Sequence, residues 1–200
     1  MPDLHGSRIG FALCGSYCVF SKVFPALDAL LASGAEVVPI VSENTSRTDT
    51  RFGDAEAHLA RLEAMTGRAP IRSIAEAEPI GPRRLLDLLV VAPCTGNTLA
   101  KLAHGIADTT VTLAVKAHLR NERPVVLAVS TNDALAGNAA SIGMLLNRRH
   151  YYFVPMRQDD PGGKPRSVVA DFSRLADTAA AALRGEQLQP ILAAPVQKPS

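Results

Sequence analysis

Four short segments of this 200-residue chain combine glycine, hydroxyl and amide side chains in a way that suits an anion. They are Gly15-Ser16-Tyr17, Ser42 to Thr45, Pro93 to Asn97 and Ser130 to Asp133. Each follows a short apolar run, so each is expected as the bend after a strand. Such bends expose backbone N–H groups and hydroxyls, and a helix opening behind one adds its dipole. A phosphate is the natural guest. Taken singly, Gly15-Ser16 or Thr95-Gly96-Asn97 reads just as well as a turn and a helix cap. Four such bends on one rim of a sheet shift the balance toward a ligand. Gly15, Ser16, Ser42, Thr45, Thr95 and Asn97 are therefore the expected lining of a phosphate-bearing site.

Alternating strand and helix patterns must position these bends. Arg8–Cys14, Glu36–Val41, Asp87–Ala92, Pro124–Val129 and Tyr151–Val154 read as strands, with Tyr151–Val154 the last, and Ile71–Ile74 as a further short one. Pro39 suits an edge strand or a local irregularity. Ser21–Ser33, Asp54–Thr66, Thr95–His104, Asp108–Arg120, Asn138–Arg149 and Phe172–Leu183 carry helical periodicity, with Pro25 in the region of a first turn. Ser42–Phe52 and Gln158–Ser167 read as loops, the second pairing glycines with charge as a lid would. Parallel neighbours need helical crossovers, so the expected fold is an open, doubly wound α/β sheet in three layers, Rossmann-like or flavodoxin-like. Residues 1–186 are read as one domain and 187–200 as an extended tail. In such a sheet ligands bind beyond the carboxyl ends of the strands, where the four bends lie.

Composition narrows the function. Net charge is +2, from 21 basic and 19 acidic residues, which points away from nucleic acid and membrane surfaces. Aromatics make up 4%, so Ala, Leu, Val and Ile must build the core. No apolar run approaches the roughly 20 residues of a membrane span. The opening residues lack a signal peptide's regions, so cytoplasmic residence is expected. Cys14, Cys18 and Cys94 are an odd number, against a disulfide framework. Cys14 and Cys18 lack the further ligands a metal pair would need, and no metal is expected. Neither a G-x-G-x-x-G nor a P-loop pattern is present, which argues against a standard dinucleotide fold and a nucleoside triphosphatase.

Val90–Asp108, VVAPCTGNTLAKLAHGIAD, resembles the FMN-binding flavoprotein family, which includes cysteine-type decarboxylases and flavin prenyltransferases. Ala92, Pro93, Thr95, Asn97, Thr98, Lys101, Ala103, Gly105, Ile106, Ala107 and Asp108 fit its motif. The resemblance implies an FMN site, with phosphate as its other guest, at Gly15, Ser16, Ser42, Thr45, Ala92, Pro93, Thr95, Gly96, Asn97 and Ser130. The family's decarboxylases carry a catalytic His before a helix. His58 is the nearby candidate here and reads as a surface or packing residue. Asn132 matches the family's Pro-x-Met-Asn segment, whereas Val129 and Thr131 replace its Pro and Met. Thr109 stands where the family has Asn after Ala-Asp.

Gly10–Cys18, Asn121–Leu135, Gln158–Pro161 with Lys164-Pro165, and Leu188–Leu192 are similar to one branch of that family. Its members belong to a two-component oxidoreductase that makes pyridine-2,6-dicarboxylate in the mother cell of a sporulating bacterium. That resemblance implies a dehydrogenase-like partner chain carrying NAD(P), a small dianionic substrate and self-assembly into trimers or larger rings. A dianion wants cations, and Arg47, Arg51, Lys164 and Arg166 are the loop candidates. Asn132 and Asp133 are the residues expected near the reacting ring, Asn132 to fix an amide or carboxylate and Asp133 to move a proton. Helix capping is the plainer role for both. Two rivals stand beside this reading: a stand-alone FMN-dependent decarboxylase or prenyltransferase, and a non-catalytic component that only positions its partner.

Overall fold

The computed structural model describes residues 2–194. Five parallel strands form its centre: β1 (Arg8–Leu13), β2 (Glu36–Val41), β3 (Leu88–Cys94), β4 (Val125–Thr131) and β5 (Tyr151–Phe153). They lie side by side as β2-β1-β3-β4-β5, all parallel. Chain order therefore reverses between β1 and β3, and a crevice opens there at the carboxyl ends of the strands.

Both central strands are apolar at every position facing the core, because helices cover both faces. Leu88, Val90 and Ala92 of β3 point to one side with Val126 and Ala128 of β4. Leu89 and Val91 point to the other with Val125, Leu127 and Val129, and Cys94 joins them past a register shift that follows Val91. Up to that shift this is the two-residue alternation of a pleated strand. The first face is packed by α1 (Phe20–Ala32), α3 (Ala55–Thr66) and α8 (Leu175–Leu183). Phe20, Val23, Phe24, Leu27 and Leu30 form the buried stripe of α1. The second face is packed by α4 (Ile74–Ala77), α5 (Gly96–Ala103), α6 (Thr110–Leu119) and α7 (Ala139–Leu146).

Several local expectations are corrected. The polar stretch Ser42–Phe52 contains a short helix, α2 (Glu43–Arg47), because the Ser42 side chain accepts a hydrogen bond from the Thr45 N–H and caps it. Ile71–Ile74 is not a strand: Ile71 makes one parallel bridge to Ile40, and Ile74 already opens α4. Pro25 lies beyond the first turn of α1, on its exposed side, where the missing N–H costs one hydrogen bond and no packing. Pro39 does sit on an outer strand. The Val41 N–H, on the same side of β2, donates outward to Ile71 O, so the N–H that Pro39 lacks falls on that outer side.

Tyr151–Phe153 is not the last strand. Two short antiparallel strands follow, β6 (Met156–Arg157) and β7 (Val168–Ala170). β7 pairs with Ser130 and Thr131, so it extends the sheet only beside the carboxyl end of β4. The Gln158–Ser167 loop therefore leaves and returns at the mouth of the crevice. Gln158 Nε2 donates to Pro165 O at 2.8 Å and closes the loop's base. The segment after α8 lies against the same edge. Gln187 exchanges 2.8 Å hydrogen bonds with the backbone of Phe153, and Leu192 bridges Met156. The last part of the expected tail, residues 195–200, lies outside the described residues.

Candidate functional site at the strand switch point

Two clefts meet at the switch point and share Gly15 and Thr95, which follow β1 and β3. The larger, about 780 Å³, falls in the size range of small-molecule sites. Ser16, Ser130, Thr131 and Asn132 contribute its polar wall, Val19, Phe52, Val168 and Val169 an apolar wall, and Arg51, Lys164 and Arg166 its cations. Ser16 and Ser130 are tied by a 3.0 Å hydrogen bond between their hydroxyls, which locks the β1 bend to the end of β4. Arg51 lies over the Phe52 ring at 4.8 Å. Lys164 Nζ is 3.7 Å from Asp159, while the Arg166 guanidinium has no ion pair among the described residues.

The smaller cleft, about 440 Å³, is lined by Ser42, Asn97, Thr98 and Thr109 with the charged groups Glu43, Lys101 and Asp108. Its charges are mutually satisfied. Lys101 donates to Asp108 at 2.8 Å and holds that carboxyl below its usual range. Glu43 Oε1 accepts from both the N–H and the hydroxyl of Thr110 at 2.8 Å, so the amino end of α6 already has its anion. Cys14 borders this cleft as a protonated thiol, because burial pushes its pKa up to about 11.

Tyr17 separates the two clefts. Its ring lies so close over Gly15 that a Cβ there would be 3.2 Å from it, and its hydroxyl donates to Asn44 O at 2.9 Å. The ring rests on Phe20 and near His58, whose imidazole is also packed against Phe20 and Phe24. Burial, then the nearby Arg61 charge, lowers the His58 pKa. His58 is a packing residue of this aromatic cluster and lines neither cleft.

The residues named from the sequence divide accordingly. Gly15, Ser16, Thr95, Gly96, Ser130, Asn132, Arg51, Lys164 and Arg166 meet in the larger cleft, and Ser42 and Asn97 face the smaller one. Ala92 belongs to the buried core of β3, and a cis peptide bond joins it to Pro93. Thr45 is fully buried, its hydroxyl turned back to Leu13 O and the Ser42 hydroxyl. Arg47 is exposed in the last turn of α2 and borders neither cleft. Asp133 borders neither cleft and stands behind the wall. Its carboxylate accepts from Thr131 Oγ1 at 2.5 Å and from Asn138 Nδ2 at 2.9 and 2.8 Å. These bonds lower its pKa, the Thr131 hydroxyl contributing most.

Sequence pattern singles out neither Thr131, Asn138 nor the apolar wall. Thr131 lies inside one of the four bends, but only its bond to Asp133 marks it out from its neighbours. Gly96 depends on the same group. A Cβ on Gly96 would lie 2.6 Å from Asn138 Nδ2, 2.7 Å from Thr131 Oγ1 and 3.0 Å from Asp133 Oδ1. Gly96→Ala is expected to break the Thr131–Asp133 bond and destabilise the fold by about 1–3 kcal/mol. Urea unfolding would check this; an unchanged midpoint would show that the network gives way freely.

The sequence profile of the flavoprotein family matches residues 2–148. The chain belongs to the flavoprotein family. It is 47% identical over 192 residues to the B subunit of dipicolinate synthase from Bacillus subtilis, covering 96% of both chains. It is 36% identical over 104 residues to the flavin prenyltransferase UbiX of Deinococcus radiodurans, about half of each chain. The crystal structure of the dipicolinate synthase B subunit from Bacillus halodurans superposes with a TM-score of 0.89 at 40% identity, covering 96% of this chain and 99% of that one. The FMN-dependent cysteine decarboxylase SpaF superposes with a TM-score of 0.64 at 27% identity, covering 90% and 99%. These flavoprotein-family likenesses agree with the doubly wound fold, and none of the described helices is long and apolar enough to cross a membrane.

Proposed function

We propose that this chain acts as the flavoprotein-like component of a dipicolinate-forming enzyme, together with the dehydrogenase-like A subunit of dipicolinate synthase, which carries NAD(P). The reaction removes two hydrogens from dihydrodipicolinate, or water as well from its hydroxytetrahydro form, to give pyridine-2,6-dicarboxylate. The mother cell of a sporulating bacterium is its setting. The observation that carries this reading is the larger cleft, where Arg51, Lys164 and Arg166 stand with the hydroxyls of Ser16, Ser130 and Thr131 around one space. A small planar dianion matches that lining, since guanidinium forks pair with carboxylates. End-to-end similarity to the Bacillus subtilis protein supports the assignment.

The same lining fits FMN as to donor chemistry: small residues and hydroxyls for a phosphate, and an apolar wall for a ring. Gly15, Ser16, Thr95 and Ser130 would hold it. A bound flavin supplies a hydride acceptor. In either case this chain's residues bind the carboxylates, orient the ring and screen it from water. Self-assembly follows the family resemblance. One observation favours partner binding as a second role. Ala134, Ile142, Met156 and Val168 line an open apolar groove in which Leu135, Leu146 and Leu192 are exposed.

The test combines the purified chain with the A subunit and substrate and follows pyridine-2,6-dicarboxylate by its ultraviolet absorbance, alongside a visible spectrum after FMN addition. Faster product formation with this chain present is expected. No gain, with or without FMN, would overturn the proposal.

A further inference from the structure

Thr131 lines the larger cleft, yet its hydroxyl has already given its proton away. It donates to Asp133 Oδ1 at 2.5 Å. Asn138 Nδ2 donates to both oxygens of that carboxylate, at 2.9 and 2.8 Å, and fixes its plane. The backbone closes the arrangement, since the N–H groups of Ala136 and Asn138 both donate to Asp133 O. Asp133 is held in its ionised form by these donors, the Thr131 hydroxyl first. A carboxylate is acceptor-only, so Thr131 can turn its proton away only by giving up its 2.5 Å bond to Asp133. What Thr131 can offer the cleft is a lone pair.

Among the other polar side chains lining this space, the Asp159 carboxylate is an acceptor and stands 3.7 Å from Lys164, and the rest are donors or can become donors. Arg51, Lys164 and Arg166 are cations, and Ser16 and Ser130 share one proton between them, leaving the other free to donate. A ligand that only accepts, such as a bare aromatic diacid, leaves Thr131 unmatched. We propose that Thr131, positioned by Asp133 and Asn138, reads a hydrogen-bond donor on the ligand, an O–H or ring N–H, and so separates a hydroxylated or partly reduced ring diacid from the aromatic one.

This rests on the reading of the cleft as a dianion site. It assigns Asp133 a positioning role instead of proton transfer to the ring, because the carboxylate borders neither cleft and is held by Thr131 and Asn138. Gly96 is part of the device, as its bare Cα lets α5 approach the three side chains. The consequence for turnover is directional. Loss of the donor on aromatisation leaves Thr131 unsatisfied and favours release of product.

The test compares two probes by titration calorimetry on the full chain, by itself and with the dipicolinate synthase A subunit. Pyridine-2,6-dicarboxylate has no donor, whereas 4-hydroxypyridine-2,6-dicarboxylate adds one, as O–H or as ring N–H in its pyridone form. Thr131→Val keeps the side-chain shape and removes the acceptor. The expected result is about a 10-fold weakening for the hydroxylated probe and less than 2-fold for the other, with Thr131→Ser restoring the first. Asp133→Asn should weaken the hydroxylated probe selectively, because the hydroxyl is then free to turn. Equal weakening of both probes by Thr131→Val, or no weakening of either, would overturn the donor-reading role while leaving the dianion site standing. Wild-type chain that binds neither probe, by itself or with its partner, would overturn the dianion site itself and this inference with it.

Discussion

Replacing Arg166 and Lys164 together by alanine is expected to lower the kcat/KM for dipicolinate formation by about 30- to 1,000-fold, with the loss carried mainly by KM. The range follows from two charge-assisted hydrogen bonds to carboxylates. Each is worth about 1.5–3 kcal/mol when shielded and less at an exposed rim, so about 2–4 kcal/mol together. Arg166 should account for the larger share. It has no ion pair to give up among the described residues, whereas Lys164 is in loose contact with Asp159 at 3.7 Å and is 61% exposed. Arg166→Lys should recover only part of the loss, since an ammonium cannot make the bidentate fork. Substrate affinity of the wild type should also fall with added salt, and that of the double variant should fall less. Steady-state kinetics at two ionic strengths reads both effects. A double variant with unchanged KM would remove these cations from the binding site and leave Arg51 as the only charged candidate among the three in the cleft.

The parts of the fold that are legible in the sequence share one cause. β3 and β4 are buried on both faces, so their apolar runs are unbroken and end at small or polar residues. β6 and β7 offer no such signal. They are two and three residues long, and a polar loop separates them. Their pairing with the end of β4 depends on where the loop returns, which local pattern does not encode. α2 is hidden because its residues, Glu43 to Arg47, are all polar and only the Ser42 cap marks its start. The site divides in the same way. A bend after a strand can be read from composition, and most of the named bend residues do reach the two clefts. Which side of a bend faces the space cannot be read in that way. Thr45 and Ser130 look alike in sequence, yet Thr45 turns inward to Leu13 O while Ser130 bonds to Ser16 across the crevice. The Thr131–Asp133–Asn138 group is closed by the turn in which Ala136 and Asn138 donate to Asp133 O, and the residues between Asp133 and Asn138 carry no sign of it.

Below neutral pH the fold is expected to lose stability through His118. This side chain is fully buried in α6, with Nε2 3.0 Å from Pro124 O and Nδ1 without a partner among the described residues. Burial is the main cause that lowers its pKa to about 4, against the opposing pull of the Pro124 carbonyl. In the unfolded chain an imidazole titrates near 6.5. Between those values the unfolded chain takes up a proton that the folded chain refuses, so stability rises with pH across this window. The contribution is complete above about 6.5 and is lost progressively down to about 4. It amounts to roughly 3 kcal/mol at about 1.36 kcal/mol per unit. Carboxylates lowered in the folded state, such as Asp108 and Asp133, add a loss of the same sign at more acid pH. A variant is therefore needed to separate the two. His118→Gln retains a donor for Pro124 O and has nothing to titrate. Urea unfolding at about pH 7.5, 5.5 and 4.5 should show a wild-type decline between the first two points, where carboxylates remain ionised, that is smaller in the variant, in which His58, lowered in the same direction, still titrates. Equal slopes in both proteins would show that the imidazole can reach water in the folded state. The position matters for the site as well, because Pro124 immediately precedes β4. A proton on His118 leaves the Nε2–H bond to Pro124 O in place and puts at Nδ1 an N–H with no partner among the described residues, beside the base of the strand that carries Ser130 and Thr131 at its other end.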